Sequence, residues 1–394
     1  MDYLSPPDPS TSPADVYHED QNQSELIAHL SEASGVSQDS VNKILEAFLS
    51  QEQSTDLTQF LTYGDLVRES IEQLRQTRSA FQKIDFSQSV PPRFPSHVQV
   101  QTIGGCNASC VMCAMSSTEI RQAQKGKMSL ELFTKIITEC SSFEECQDIA
   151  LYLQNEPLLD PELAGKVRLT KELSDGRLTT RIVTNGNLLT PKRIDELLDA
   201  GIDVISVSLN ALTAETYAKV MPGLEFARTL SNFECLLDKA SSRILITLTF
   251  MVTATNEHEI EEAIAYWSER GVLCGAYGIG TMSGTVPNFP SVRAKSSRHL
   301  EGKECYLPLE TTAIINNGDL LLCCTDWARR SVSGNVSTQS IYDIWHSEEL
   351  SALRRQAIFN KFEHPICKKC LGQTRVPANL MYEGGPGTIY RIRH

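Results

Sequence analysis

Between residues 96 and 280 the apolar positions follow two alternating rhythms. Val98, Val100 and Thr102 recur at every second residue, as in a strand. Leu132, Phe133, Ile136 and Ile137 then recur at helical spacing behind Ser129, a hydroxyl residue suited to capping. Further strand-like runs cover residues 149–153, 178–183, 204–209, 244–252 and 272–279, with helical stretches between them. Thr190, Pro191 and Gly201 bracket one of these helices around Ile194, Leu197 and Leu198, with a cap, a pre-set first residue and a terminator. Strands that alternate with helices pair in parallel through right-handed crossovers. Six such units predict a partial (β/α)6 TIM barrel of class α/β, because the pattern stops after the sixth.

The flanks read differently. Residues 1–22 are rich in Pro, Ser, Asp and Gln, which predicts a disordered tail. Residues 23–92 carry Leu26, Ile27, Leu30, Val41, Ile44, Leu45, Phe48, Leu66, Ile71 and Leu74 at helical intervals, an N-terminal helical extension that a Pro-rich link at 91–95 separates from the barrel at 93–290. The remaining residues, 291–394, predict a small C-terminal α+β domain. In it Ala313 to Cys323 reads as a hairpin turning at Asn316-Asn317-Gly318, followed by a helix with Ile341, Ile344, Trp345, Leu350 and Leu353, then a Cys367-Lys-Lys-Cys370 turn.

Composition narrows the function. The chain has 394 residues, 41 % of them hydrophobic, and a net charge of −13, which disfavours a nucleic-acid surface. No apolar run approaches the roughly 20 residues of a membrane helix, and the N-terminus lacks the basic-then-apolar plan of a signal peptide. A cytoplasmic protein that meets no membrane is the expectation. Twelve cysteines without a secretory signal point to metal ligands or reactive thiols rather than disulfides.

Three of them, Cys106, Cys110 and Cys113, follow directly on the first strand. Three thiolates in one loop suit a four-iron cluster with one open iron; a zinc site, or a ferredoxin-like cluster with a distant fourth ligand, uses similar spacing. The C-x3-C-x2-C pattern at the end of a first barrel strand resembles the radical S-adenosylmethionine (SAM) superfamily across residues 96–285. That resemblance implies a 4Fe–4S cluster whose open iron is chelated by SAM, reductive SAM cleavage, and a 5′-deoxyadenosyl radical that abstracts hydrogen. It also implies SAM contacts. Gln154-Asn155-Glu156-Pro157 resembles the family's Gly-Gly-Glu-Pro segment, which assigns Asn155 and Glu156 to the methionyl amino group, with Asn155 standing in for a left-handed glycine. Asn185 of Thr184-Asn185-Gly186 and Ser208 of Ser206-Val-Ser208 fall at the cofactor-facing ends of strands three and four. Lys219 is assigned to the SAM carboxylate, and Met112 replaces the usual aromatic against adenine.

The second group, Cys305, Cys323, Cys367 and Cys370, suits zinc or an iron–sulfur cluster by spacing alone. It resembles the twitch domain, the shorter relative of the SPASM domain, and this implies one auxiliary 4Fe–4S cluster. Cys324 is expected to be packed or to lie beside the ligands. Cys140, Cys146 and Cys235 are expected in the core, and Cys274 either in the core or as a hydrogen-atom donor.

The resemblance implies oxidation (dehydrogenation) or epimerisation of a small polar natural-product intermediate such as an aminocyclitol or sugar. A low-potential donor such as flavodoxin or ferredoxin would supply the electron. One alternative is a maturase that modifies a ribosomally made peptide docked on the helical extension; another is a non-catalytic metal-binding interaction protein.

Overall fold

The computed structural model describes residues 93–295, 305, 307–358 and 361–370. All belong to the larger of two compact units, Phe86–His394. The expected tail, the helical extension and the segment after Cys370 lie outside the described residues.

Six strands stand side by side in chain order: β1 (His97–Val100), β2 (Asp148–Ala150), β3 (Thr179–Thr184), β4 (Val204–Ser208), β5 (Leu245–Val252) and β6 (Leu273–Gly278), every neighbouring pair parallel. Helices return the chain between them, among them Leu130–Ser141, Pro191–Asp199, Phe226–Ala240 and Ile260–Ser268. The caps are the expected ones. Ser129 Oγ accepts from Leu132 N at 3.1 Å, Thr190 Oγ1 accepts from Arg193 N at 3.4 Å, and Gly201 leaves its helix at φ +85°. Val98, Val100, Ile149, Ile182, Ile205, Val207, Leu248 and Phe250 face the helices and are fully buried with Phe133, Ile136 and Phe233. The alternate positions, which face the other side of the sheet, include Gln99, Arg181, Ser206, Ser208, Thr247, Thr249 and Tyr277 together with the apolar Val183, Val204 and Met251.

The sheet does not stop at the barrel. β7 (Thr311–Ile314) lies parallel to β1, with His97 opposite Thr311, and β8 (Asp319–Leu321) and β9 (Val332–Asn335) follow antiparallel, for nine strands among the described residues in the order β6-β5-β4-β3-β2-β1-β7-β8-β9. The hairpin expected in the C-terminal segment therefore extends the barrel sheet instead of forming its own. β9 was not expected, because Val-Ser-Gly-Asn has no alternation of apolar and polar positions. The expected helix over residues 341–353 is two, Ile341–Trp345 and Glu348–Ile358, because Ser347 Oγ accepts from Leu350 N and begins a second helix. Cys367 and Cys370 sit on and just after a short helix, Pro365–Lys369, rather than in a turn. No helix among the described residues is long and apolar enough to cross a membrane.

Candidate active site

The three-cysteine loop leaves β1 through Gly104, where a Cβ would lie 2.9 Å from the backbone of Gln124 and Lys125; only glycine admits that approach. Arg121, on the helix Thr118–Ala123, then ties the loop together. Its guanidinium donates to Met115 O (3.1 Å), Cys106 O (2.9 Å), Ser109 Oγ (2.7 Å) and Ala108 O. Sequence reasoning passed over Arg121, since an arginine in a polar stretch carries no signal of what it reaches.

Backbone N–H groups of Ala108 and Met115 aim at the sulfurs of Cys106 and Cys113, both at 3.4 Å. Burial pushes the Cys106 thiol up to about 11, against the Ala108 N–H and the Arg121 charge, and the Cys113 thiol up to about 12. Cys110 is raised by burial and then by the other two sulfurs. Thiols held neutral by burial, yet aimed at by N–H donors, fit a cationic iron cluster that supplies the missing countercharge. Among the described residues, no three Cys, His, Asp or Glu side chains converge as one bound metal ion would require.

Glu156 is 2 % exposed, and both carboxylate oxygens are engaged. Oε1 accepts from Leu158 N (3.1 Å) and Thr184 Oγ1 (2.6 Å), and Oε2 from Asn185 N (2.9 Å). Burial raises its pKa against these donors. A carboxylate oxygen accepts about two hydrogen bonds, so Oε2 keeps capacity for one more donor. Asn185 Nδ2 reaches Asn107 Oδ1 at 2.8 Å and lies 4.0 Å from Cys106 Sγ, so the end of β3 abuts the cysteine loop.

Other expected contacts are placed differently. Asn155 is not among the residues with positive φ; its Oδ1 instead accepts from Leu153 N two residues back (3.0 Å), so the stand-in for a left-handed glycine is not what this residue does. Lys219 is 60 % exposed and donates to Glu215 one helical turn away (2.7 Å), a surface pair rather than a member of the buried group. Met112 is buried in the main core, and Ser208 Oγ is 3.1 Å from Thr249 Oγ1 on the inner side of the sheet. Cys274 Sγ is 3.5 Å from Val272 O, and Cys274 lies in register with Leu248 on the helix-facing side of the sheet. It thus points away from the side lined by Gly275 and Tyr277, and hydrogen return by Cys274 is corrected accordingly.

The second cysteine group also gathers. Burial, and then the neighbouring sulfurs of Cys323, Cys370 and Cys367, raise the Cys305 thiol, so the four sulfurs lie near one another. Cys323 is lowered to about 7, chiefly because the Cys324 S–H donates to it, and Thr325 Oγ1 lies 3.2 Å from its sulfur. Cys324 packs beside Ala313, Ile315 and Leu321.

Comparisons with known proteins agree with this geometry. Residues 100–266 match the radical SAM superfamily, and residues 305–371 match the SPASM iron-sulfur cluster-binding domain; together they span more than half of the chain. An S-adenosyl-L-methionine-dependent 2-deoxy-scyllo-inosamine dehydrogenase of Niallia circulans is 24 % identical over 276 residues, which cover 70 % of this chain and 92 % of that enzyme. The AdoMet-dependent heme synthase of Methanosarcina barkeri is 31 % identical over 181 residues, 45 % of this chain and 49 % of the synthase. Among solved structures, BtrN in complex with AdoMet and 2-DOIA aligns with TM-score 0.50 and 22 % identity, over 70 % of this chain and 93 % of BtrN. SuiB of Streptococcus suis, bound to precursor peptide SuiA, aligns with TM-score 0.58 and 14 % identity, over 74 % of this chain and 76 % of SuiB. A radical SAM domain carries a 4Fe–4S cluster with SAM, and a SPASM domain carries an auxiliary iron–sulfur cluster. From the thiol-bearing barrel edge and these two matches together, the chain is an enzyme of the radical SAM superfamily with a C-terminal SPASM domain.

Proposed function

We propose that this enzyme dehydrogenates a small, hydroxyl-rich natural-product intermediate of the aminocyclitol or sugar class. The observation that carries the reading is the inner wall of the barrel. Ser206 and Thr247 pair their hydroxyls at 2.6 Å, Ser208 and Thr249 at 3.1 Å, and Arg181 Nε donates to Asp148 Oδ2 at 2.5 Å. The hydroxyls offer donors and acceptors to a polar ring, with Val183 and Met251 beside them on the same face. The dehydrogenase relative, matched over 92 % of its length, supports the same class.

In this reading Cys106, Cys110 and Cys113 hold the 4Fe–4S cluster that binds SAM, and Cys305, Cys323, Cys367 and Cys370 hold one auxiliary cluster. When bound, the first cluster and SAM supply the one-electron chemistry that removes a hydrogen atom from carbon, and the auxiliary cluster offers a route for the second electron. The chain's own residues orient. Glu156 Oε2 accepts from the SAM amino group with its remaining capacity; Asn185, whose N–H binds Glu156 and whose amide reaches the cysteine loop, lines the cofactor; Arg121 holds the cysteine loop; and the hydroxyl pairs receive the substrate. A flavodoxin or ferredoxin delivers the first electron.

The test is anaerobic reconstitution with iron and sulfide, then dithionite and SAM with a panel of aminocyclitols, sugars and precursor peptides, following 5′-deoxyadenosine and ketone. Ketone formed from an aminocyclitol or sugar supports the proposal. Acceleration by peptides alone makes the chain a maturase, the reading that the shared fold of SuiB favours. Deuterium gained from solvent without ketone makes it an epimerase, and zinc with no SAM cleavage makes it a binding module.

A further inference from the structure

Three glutamines and one arginine meet in the interior between the two cysteine sites. Gln101, Gln124 and Gln154 are 0 %, 2 % and 0 % exposed, yet each side-chain amide is engaged. Gln154 Nε2 donates to Cys324 O (3.1 Å) and Asp326 O (3.0 Å), and its Oε1 accepts from Gln124 Nε2 (3.0 Å). Gln124 Nε2 also reaches Trp327 O at 3.4 Å, while its Oε1 accepts from Gln101 Nε2 (3.2 Å) and from Arg329. Arg329 closes the ring on Gln101 Oε1 at 2.9 Å.

Two features mark this cluster as more than filler. Carbonyls of the loop that follows Cys323 point inward, and buried carbonyls need donors; a glycine or an apolar residue at 154 would leave those of Cys324 and Asp326 without these. Arg329 also holds φ +52°, a conformation costly for a residue with a Cβ, and burial lowers its pKa. The fold bears both costs to bring a guanidinium onto Gln101 and Gln124. Gln124 is moreover the C-cap of the helix whose Arg121 clamps the first cysteine loop. One short segment therefore touches both cysteine loops.

We propose that Gln154 and Gln124, joined by Gln101 and Arg329, are positioning residues that hold the Cys323–Arg329 loop on the barrel and so set the place and surroundings of the auxiliary cluster. This rests on the reading of Cys323 as a ligand of that cluster. Cluster potential follows hydrogen bonding and burial, so a loosened loop changes the cluster's spectrum and potential, which simple loss of global stability does not.

The experiment uses the full-length chain. Gln154→Met keeps volume and removes both donors; Gln124→Met attacks the same hub from the helix side and serves if the first variant fails to fold. In the apo chain, amide exchange over residues 322–331 should rise roughly tenfold or more while exchange in β3 to β5 stays at the parental rate. After reconstitution, the EPR signature and midpoint potential of the auxiliary cluster should move while those of the first cluster stay. Unchanged local exchange, or a uniform rise throughout the barrel, overturns the proposal. A Cys323→Ala control, in a chain already lacking Cys106, Cys110 and Cys113, separates it from the reading beneath it. Iron retained there removes Cys323 as a ligand and the proposal with it. Iron lost there, with Gln154→Met indistinguishable from the parent, overturns the positioning role alone.

Discussion

Replacing Arg121 by Met keeps the aliphatic stem and deletes four hydrogen bonds at once, to Cys106 O, Ala108 O, Ser109 Oγ and Met115 O. Hydrogen bonds from a charged donor contribute about 1.5–3 kcal/mol each when buried. The bond to Ser109 is exposed and is set aside, and Arg121 itself is only half-buried, so the other three are discounted to about 1 kcal/mol each. The sum, about 3 kcal/mol, corresponds to roughly a hundredfold in the opening equilibrium of the loop. Amide exchange over residues 106–116 in the apo chain reads that equilibrium directly, and iron loss to a chelator reads it in the reconstituted enzyme. Arg121→Lys should fall between parent and Met, because an ammonium cannot span four acceptors that a planar fork reaches together. Parental exchange and iron retention in Arg121→Met would refute the argument, since the clamp would then hold nothing that the rest of the loop does not.

Three further outcomes are expected. Exchange of Cys106, Cys110 and Cys113 for Ala should remove about half of the roughly eight irons per chain and all SAM cleavage, measured by iron assay and 5′-deoxyadenosine formation; retained cleavage sinks the assignment. Substituting Cys305, Cys323, Cys367 or Cys370 should abolish ketone while abortive 5′-deoxyadenosine persists, and full ketone yield with the auxiliary cluster demonstrably gone would exclude oxidation through it. Asp148 is raised by burial but more than offset by Arg181 and His97, so its folded pKa lies below the ordinary carboxylate value. Its contribution to stability is therefore present above about pH 4 and lost as pH falls through the depressed folded pKa. In urea titrations the gap between parent and Asp148→Asn should narrow toward acid; a constant gap contradicts the linkage.

The parts of this molecule that local pattern controls were legible. Ser129 and Thr190 cap the helices they precede, and the six parallel strands lie where alternation or apolar runs put them. Direction was harder to read. Residues 272–279 are apolar on both faces, so nothing in the pattern told which way Cys274 points, and its parity became clear only from Gly275 and Tyr277 sharing the opposite face. Long-range polar contacts were invisible as well. Gln124 meets Arg329 across 205 positions and Gln154 meets Asp326 across 172, and a glutamine in a sequence does not announce a buried partner. Lys219 shows the converse error: a cation placed near an expected anion finds Glu215 on its own helix first.

The pairing of β7 with β1 has a consequence for how the chain is made. Val98 and Thr312 lie more than 200 residues apart, so the barrel strands emerge from synthesis well before the strand that covers the free side of β1. Until then that edge presents unpaired N–H and C=O groups to any extended chain nearby. Parallel addition of Thr311–Ile314 ends the exposure, and the antiparallel β8 and β9 move the new edge out to Val332–Asn335, a short strand holding a glycine and an asparagine. The segment that carries the second cysteine group thus also protects the nascent barrel from templated aggregation, and loss of β7 would be felt in soluble yield before it was felt in turnover.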